Sequence, residues 1–334
     1  MTDNKKTVLV TGGAGFIGSH ACKALAEAGY LPVTYDNLST GHAEAVKWGP
    51  LQLGDVQDVA RLSEVLSACN PAAVMHFAAS AYVGESVTDP QKYYRNNVVG
   101  MSCLLDAMAE ADLKTLVFSS SCATYGEPEV SPINEDTPQH PINPYGRTKL
   151  ICEDMIRDTS RAHGLRYAIL RYFNAAGADP AGELIEHHVP ETHLIPSVLM
   201  AALGLRDEIQ IFGTDFPTPD GTCIRDFIHV SDLADGHVLA LERLLGGGDS
   251  LTLNLGTGQG SSVLDVIKAC ELCAGHAIPQ RIVPGRAGDP PLLVANASRA
   301  QTELGFTPRR SNLQMIVADA YAALRKLPVS AAAS

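Results

Sequence analysis

Apolar and polar positions follow two interleaved patterns in the first half of the chain. Short apolar runs stand at 7–11, 31–36, 51–53, 73–77, 115–118 and 167–171. Between them, stretches at 16–29, 59–69, 93–111 and 145–163 carry apolar residues three and four apart. The first pattern predicts buried strands and the second predicts helices with one apolar face. Strand and helix in alternation predict an α/β fold, a Rossmann-type doubly wound parallel sheet covered on both faces. The texture changes after Asn174. Residues 177–191 are acidic and loop-like, and 212–222 are rich in Pro, Gly, Thr and Asp. Helical spacing resumes at 232–245, 263–274 and 312–327. The chain divides into a Rossmann domain over 1–175 and a smaller, less regular substrate domain over most of 176–334. Periodicity leaves open whether segments around 226–256 return to the first domain.

Length and charge narrow the class. The 334 residues suit two modules, and 46% apolar residues against 19% charged ones exclude a disordered chain. A net charge of −12 disfavours nucleic acid as a partner, because phosphate would be repelled. The longest apolar stretch, 194–205, is too short for a membrane span and holds Pro196 and Gly204. Polar residues lead directly into the first strand, with no leader pattern. Eight scattered cysteines then fit reduced thiols in a cytoplasmic protein. Cys270 and Cys273 form a lone CxxC, read as two cysteines of a packed helix rather than a metal or redox pair.

Chemistry first shows in Thr11-Gly-Gly-Ala-Gly-Phe-Ile-Gly18, between the first strand and the first helix. Gly12 permits a tight turn, Gly15 lets backbone approach a pyrophosphate, and Gly18 lets helix and strand pack closely. The helix N-terminus adds attraction for the anion. Asp36, at the end of the second strand, suits ribose hydroxyls and repels a 2′-phosphate, which points to NAD rather than NADP. Asp55, just past the third strand, lies in reach of the adenine side. A second constellation opens at Asn143-Pro-Tyr-Gly-Arg-Thr-Lys149, where Asn143 suits a helix N-cap and Pro144 the first turn. Tyr145 and Lys149 share one helix face. A phenol is a poor base near neutrality, and a neighbouring ammonium is expected to lower its pKa. Ser119, Ser120 and Ser121 follow a strand expected to end at Phe118, where open α/β sheets bind ligands; Ser121 is the candidate partner of Tyr145.

With these residues in view, the chain resembles the extended short-chain dehydrogenase/reductases, and within them the UDP-glucose 4-epimerase family. The likeness covers nearly the whole chain. It includes Asp36-Asn37-Leu38, His76-Phe77-Ala78-Ala79, Val83-Gly84-Glu85-Ser86 and Phe212-Gly213-Thr214-Asp215. Its most specific stretch is Asp220-Gly-Thr-Cys-Ile-Arg-Asp-Phe-Ile-His-Val230. The resemblance implies NAD contacts at Phe16, Ile17, Asp36, Asn37, Asp55, Val56, Phe77, Ala78, Ala79, Asn97, Tyr145, Lys149 and Phe173. It implies that Asn174, Arg225 and Arg286 meet a UDP diphosphate and that Asp289 meets the uridine ribose. Phe212, His193 and Leu293 complete the implied substrate surface. Tyr145 would take the proton of the sugar 4-hydroxyl while Ser121 holds that oxygen. A 4-keto sugar would turn over in the cleft and be reduced on its other face, with no net redox. The resemblance also implies a homodimer through the helices at 93–111 and 145–163.

Some positions depart from one form of that family. His193 stands where an Asn is expected, and Leu293 where a Tyr lies against the sugar. Cys122 and Ala123 carry no acid after Ser121. That missing acid disfavours the nucleotide-sugar dehydratases and decarboxylases that share the superfamily. Intact Ser121, Tyr145 and Lys149 disfavour a non-catalytic NAD sensor. Another UDP-sugar, with an N-acetyl group or a pentose, remains an alternative substrate. His187, His188 and His193 with Glu183, Glu186 and Glu191 match no compact ligand spacing, so no metal is assigned and the stretch reads as a solvated or lid loop.

Overall fold

The computed structural model describes residues 5–285 and 289–326. Seven parallel strands form the central sheet: β1 (Thr7–Thr11), β2 (Leu31–Asp36), β3 (Leu51–Leu53), β4 (Ala73–His76), β5 (Thr115–Ser121), β6 (Arg166–Tyr172) and, late in the chain, β10 (Leu251–Leu255). Their order is β10-β6-β5-β4-β1-β2-β3. The winding reverses beside β1, and the crevice at that reversal is where such sheets take ligands. Between these strands run α1 (Phe16–Glu27), α2 (Val59–Cys69), α3 (Val83–Thr88), α4 (Pro90–Tyr93), α5 (Gly100–Glu110) and α6 (Pro144–His163). One apolar layer sets α1 and the later α8 (Val230–Leu245) against one sheet face, through Leu25, Leu233, Leu241 and Leu244. The other face packs α2, α5 and α6 through Leu62, Leu66, Leu104, Met108 and Ile156.

Outside that sheet lie β7 (Asn174–Ala176), α7 (Leu194–Ala202), β8 (Ile209–Phe212), β9 (Ile224–His229), β11 (Gly260–Ser262), α9 (Val263–Ala274), β12 (Gln280–Val283), β13 (Leu292–Leu293), α10 (Ser298–Leu304) and α11 (Leu313–Leu324). β9 pairs with β7, β11 and β13, and β8 pairs with β12. A separate core joins α7, α9 and α11 through Val198, Leu199, Ile267, Cys270 and Ile316. Among the described residues no helix is long and apolar enough to cross a membrane.

Two local readings change and one open question is answered. The stretch 93–111 is not one α-helix, since Tyr94–Val99 forms a π-helical turn between α4 and α5. β5 continues through all three serines rather than stopping at Phe118, because their side chains find buried partners. β10 and α8, from the stretch 226–256, sit with the large sheet.

Candidate active site

β1 turns into α1 over Gly12, Gly13 and Gly18, which leave no room for side chains. Gly12 has φ +76, and a Cβ there would lie 2.5 Å from the backbone nitrogen of Ala78. The cradle is thus walled by the end of β4 and faces the α1 N-terminus, a shape made for a phosphate group. At the end of β2, Asp36 is buried and accepts from Ala14 N at 3.0 Å and Leu38 N at 2.8 Å. Those donors fix the carboxylate and leave each oxygen a free lone pair for ribose hydroxyls. Asn37 Nδ2 donates to Asp55 Oδ2 at 2.9 Å, which joins the ends of β2 and β3 beside buried Val56. Ile17 packs down onto the sheet core with Phe77, and Ala78 and Ala79 follow β4 across the crevice. These residues fit a dinucleotide laid over the switch point. Asn97 lies in the π-helical turn. Its side-chain amide binds Ser80 N, Ser80 O and Thr148 Oγ1, so it braces the β4 loop against α6.

α6 starts as its sequence dictates. Asn143 caps it by accepting from Gly146 N at 2.8 Å, Pro144 opens the first turn, and Tyr145 follows. Ser119 donates to the Tyr172 hydroxyl at 2.9 Å and Ser120 to Glu153 at 2.6 Å. Ser121, at the end of β5, is the serine near enough to Tyr145 to favour its phenolate, while its Oγ accepts from Ala123 N at 3.1 Å. Lys149 Nζ donates to Ser119 O at 2.7 Å and lies 6.0 Å from the Tyr145 ring centre. The expected lowering of the phenol is not supplied by these protein groups. Burial lifts Tyr145 well above the ordinary phenol range, Tyr172 adds to that, and the bond from Ser121 opposes it. Burial also brings Lys149 down to about 8, against the attraction of Cys152 and Glu153.

The far wall of the crevice comes from β9, β13 and the turn after β6. Phe173 packs with Tyr125, Ile133 and Ala295, and Cys122 and Leu293 pack against them. Leu293 sits opposite Arg225 in the β13–β9 register. Arg225 Nη2 lies 3.5 Å from Asp289 Oδ1, so these two candidates hold each other at the rim. Asn174 donates to Asp226 O at 3.2 Å. Phe212 closes β8 against Val283. Arg286 lies outside the described residues.

The loop between β7 and α7 differs most from its sequence reading. It folds back so that Glu186, His188, Glu191 and His193 bring one donor atom each within 4.8 Å of one another. Sequence spacing hid this because the convergence comes from the loop's return and not from a helix repeat. Burial opposes charge here, but hydrogen bonds from His188 and His193 hold the Glu191 carboxyl at about 2. Two further residues escaped notice. Arg171 reaches Glu153 through Nε at 2.9 Å and Nη2 at 2.6 Å, and both side chains are buried. Their signal was an arginine inside an otherwise apolar strand.

A glycine cradle at a switch point, a buried carboxylate at the end of β2 and a Ser–Tyr–Lys group at the end of β5 and the start of α6 together define a dinucleotide-dependent enzyme of the short-chain dehydrogenase/reductase class. The profile of the NAD dependent epimerase/dehydratase family matches residues 8–256, and the chain belongs to that family. It is 53% identical over 304 residues to a UDP-glucose 4-epimerase of Rhizobium leguminosarum bv. trifolii, covering 91% of this chain and 93% of that one. The crystal structure of UDP-glucose 4-epimerase from Brucella ovis in complex with NAD superposes with a TM-score of 0.93 at 56% identity, over 95% of this chain and 98% of that one. The UDP-Glc/GlcNAc 4-epimerase of Campylobacter jejuni superposes with a TM-score of 0.85 at 36% identity, over 96% and 100%.

Proposed function

We propose that the protein is an NAD-dependent UDP-glucose 4-epimerase that interconverts UDP-galactose and UDP-glucose. The observation that carries this is the placing of Tyr145 and Lys149 at the start of α6 and of Ser121 at the end of β5, in the same sheet as the glycine cradle, in a chain about half identical to enzymes of that name over nine-tenths of its length. Gly12, Gly15, Gly18 and Asp36 would hold the pyrophosphate and the adenosine ribose. Bound NAD supplies a hydride acceptor for the sugar carbon and, when oxidised, the positive charge a buried phenol needs to ionise. Tyr145 takes the 4-hydroxyl proton and later returns it, and Ser121 keeps that oxygen in line. Lys149, fixed on Ser119 O, supplies ammonium hydrogen bonds beside the ring. Arg225, Asn174 and Asp289 line the rim where a nucleoside diphosphate would be gripped. Firm hold on that end and a looser hold on the sugar let the 4-keto sugar present its other face.

Leu293 widens this reading. It packs against the cluster of Phe173 and Tyr125 with a side chain smaller than a tyrosine and without a hydroxyl, and the lesser bulk is read as admitting a 2-acetamido group. The assembly is read as a homodimer through α5 and α6, which light scattering in solution tests. No disulfide joins any of the described cysteines, in keeping with a cytoplasmic setting. The deciding experiment incubates purified protein with UDP-galactose and no added NAD. Conversion to UDP-glucose is expected, with NAD recovered on denaturation. Turnover that requires added NAD and releases equivalent NADH would instead mark a net dehydrogenase. UDP-GlcNAc run in parallel should also be converted, and Leu293→Tyr should suppress that conversion more than the UDP-galactose reaction.

A further inference from the structure

We infer that Glu186, His188, Glu191 and His193 form a binding site for one transition-metal ion of the Zn²⁺ class. The four donor atoms come from residues crowded into a single loop. His188 Nδ1 lies 3.5 Å from Glu186 Oε1 and 3.4 Å from Glu191 Oε2. His193 Nδ1 lies 3.1 Å from Glu186 Oε1 and 3.0 Å from Glu191 Oε1. Glu186 Oε1 thus faces both imidazoles, while Glu191 turns Oε2 to His188 and Oε1 to His193. Ligands at ~2.0–2.2 Å from a tetrahedral ion are separated by roughly 3.3–3.6 Å; the N–O distances here, 3.0–3.5 Å, lie at or just below that, and all four donor atoms lie within 4.8 Å of one another. Each imidazole turns the same nitrogen toward two carboxylates, although one N–H satisfies a single acceptor well. That geometry suits a shared centre better than separate hydrogen bonds.

A second observation points the same way. The Glu186 side chain is 5% exposed, yet its Oε2 is buried with no hydrogen-bond partner. An unpaired carboxylate oxygen is costly in such a place, and a cation on the same carboxylate lessens that cost. Outer contacts hold the ligands in place. His193 N donates to Glu191 Oε1 at 2.7 Å, and Arg206 donates to the Glu191 carbonyl at 3.0 Å. Two imidazoles with two carboxylates favour Zn²⁺ or Co²⁺ over Mg²⁺ and Ca²⁺, which prefer all-oxygen shells.

The position gives the ion a purpose. The His188 ring lies 6.2 Å from that of Phe16 and 6.1 Å from that of Tyr82. His187 stacks on His42 at 4.5 Å. An ion here would clamp the loop across the mouth of the crevice, between the start of α1 and the segment leading to α3. It would take no part in the proton or hydride steps.

The test uses the whole protein, stripped with a chelator and returned to chelator-free buffer. Calorimetric titration with Zn²⁺ should show one saturable site per chain, and bound Zn²⁺ should raise the thermal midpoint. Co²⁺ should give visible bands of a four-coordinate ion without thiolate-to-metal charge transfer, since no cysteine is a ligand. His188→Ala and Glu186→Gln should each weaken binding at least as much as losing an outer partner would, about 10–100-fold. If His188→Ala does not fold, Glu191→Gln takes its place. Absence of saturable binding would overturn the inference and leave a proton-bridged His–Glu clamp. Unchanged affinity in the variants, or a thiolate band, would overturn it equally. None of these results bears on epimerase activity with UDP-galactose, which is measured separately.

Discussion

Lys149 is poorly matched to its surroundings as far as stability goes. Its side chain is buried, and among the described residues Ser119 O is the one acceptor that holds its ammonium group. An ammonium has three donors, so the fold carries desolvation that a single bond does not offset. The depression to about 8 has the same origin. Such a residue makes sense where charge is required by a reaction. Lys149→Met should therefore abolish most turnover while leaving the urea midpoint equal to or above that of the parent. Tyr145→Phe should lower turnover by about 10²–10⁴-fold, the usual worth of a general base, with UDP binding retained. Rates and denaturation curves measured on the same preparations check both. A Lys149→Met protein that is inactive and also much less stable would recast Lys149 as a structural residue.

One buried ion pair ties the catalytic strand to the catalytic helix. Glu153 of α6 accepts from Ser120 of β5, from Arg171 of β6 and from Arg157. Arg171 in turn donates to the Tyr125 hydroxyl at 2.9 Å, which passes to Asn254 of β10 at 2.7 Å. Burial alone would raise the Glu153 carboxyl, but the Arg171 fork holds it below the usual range. The network sets the spacing between Ser121 and Tyr145 without touching a ligand. Glu153→Leu leaves a buried guanidinium uncompensated and should cost about 3–5 kcal/mol in chemical denaturation. A loss below 1 kcal/mol would mean that Tyr125 and Glu135 O suffice for Arg171. This scale also separates what the sequence discloses from what it conceals. β1, α1, α2 and α6 were legible because a clean apolar period ends on a Gly, Asn or Pro, whereas the π-helical turn within 93–111 leaves no mark in that period. Ser121, Tyr145 and Asp36 were legible because motif and element end coincide. The strands β8, β9 and β10 and the helix α7 were not. β9 carries Arg225 and Asp226 in its centre, and buried Asp226 is tolerated because Thr257, Gly258 and Ala295 donate to it. Those partners come from distant segments that no local window contains.

The two cores explain why the chain returns to its first sheet so late. α8 buries its apolar face against α1, and β10 extends the sheet beyond β6, so the domain is closed only after the crevice wall has been built. This long closure places several histidines inside the molecule as neutral groups. His76 touches Thr11 Oγ1 at 2.6 Å, and burial brings it down to about 3. His20 and His237, on α1 and α8, are each brought down to about 4 by burial, opposed by hydrogen bonds to Phe16 O and Leu233 O. Their Nε2 atoms are buried without partners, so neither ring has room for a second proton. The unfolded chain takes up these protons near pH 6.5, whereas the folded chain refuses them until about pH 4 or below. Between those limits the unfolded state binds more protons, so stability falls as pH falls, by up to about 1.4 kcal/mol per pH unit for each histidine. Above pH 6.5 both states are neutral at these sites and the contribution is constant. Urea midpoints measured at half-unit steps should therefore be flat in this respect above neutrality and drop steeply from about pH 6 to pH 4. His237→Gln, which keeps a neutral side chain of comparable length, should flatten that drop by about one histidine's share. An unchanged slope in His237→Gln would mean that His237 is protonated in the folded protein, and that the α8 face on α1 is more open than its packing indicates.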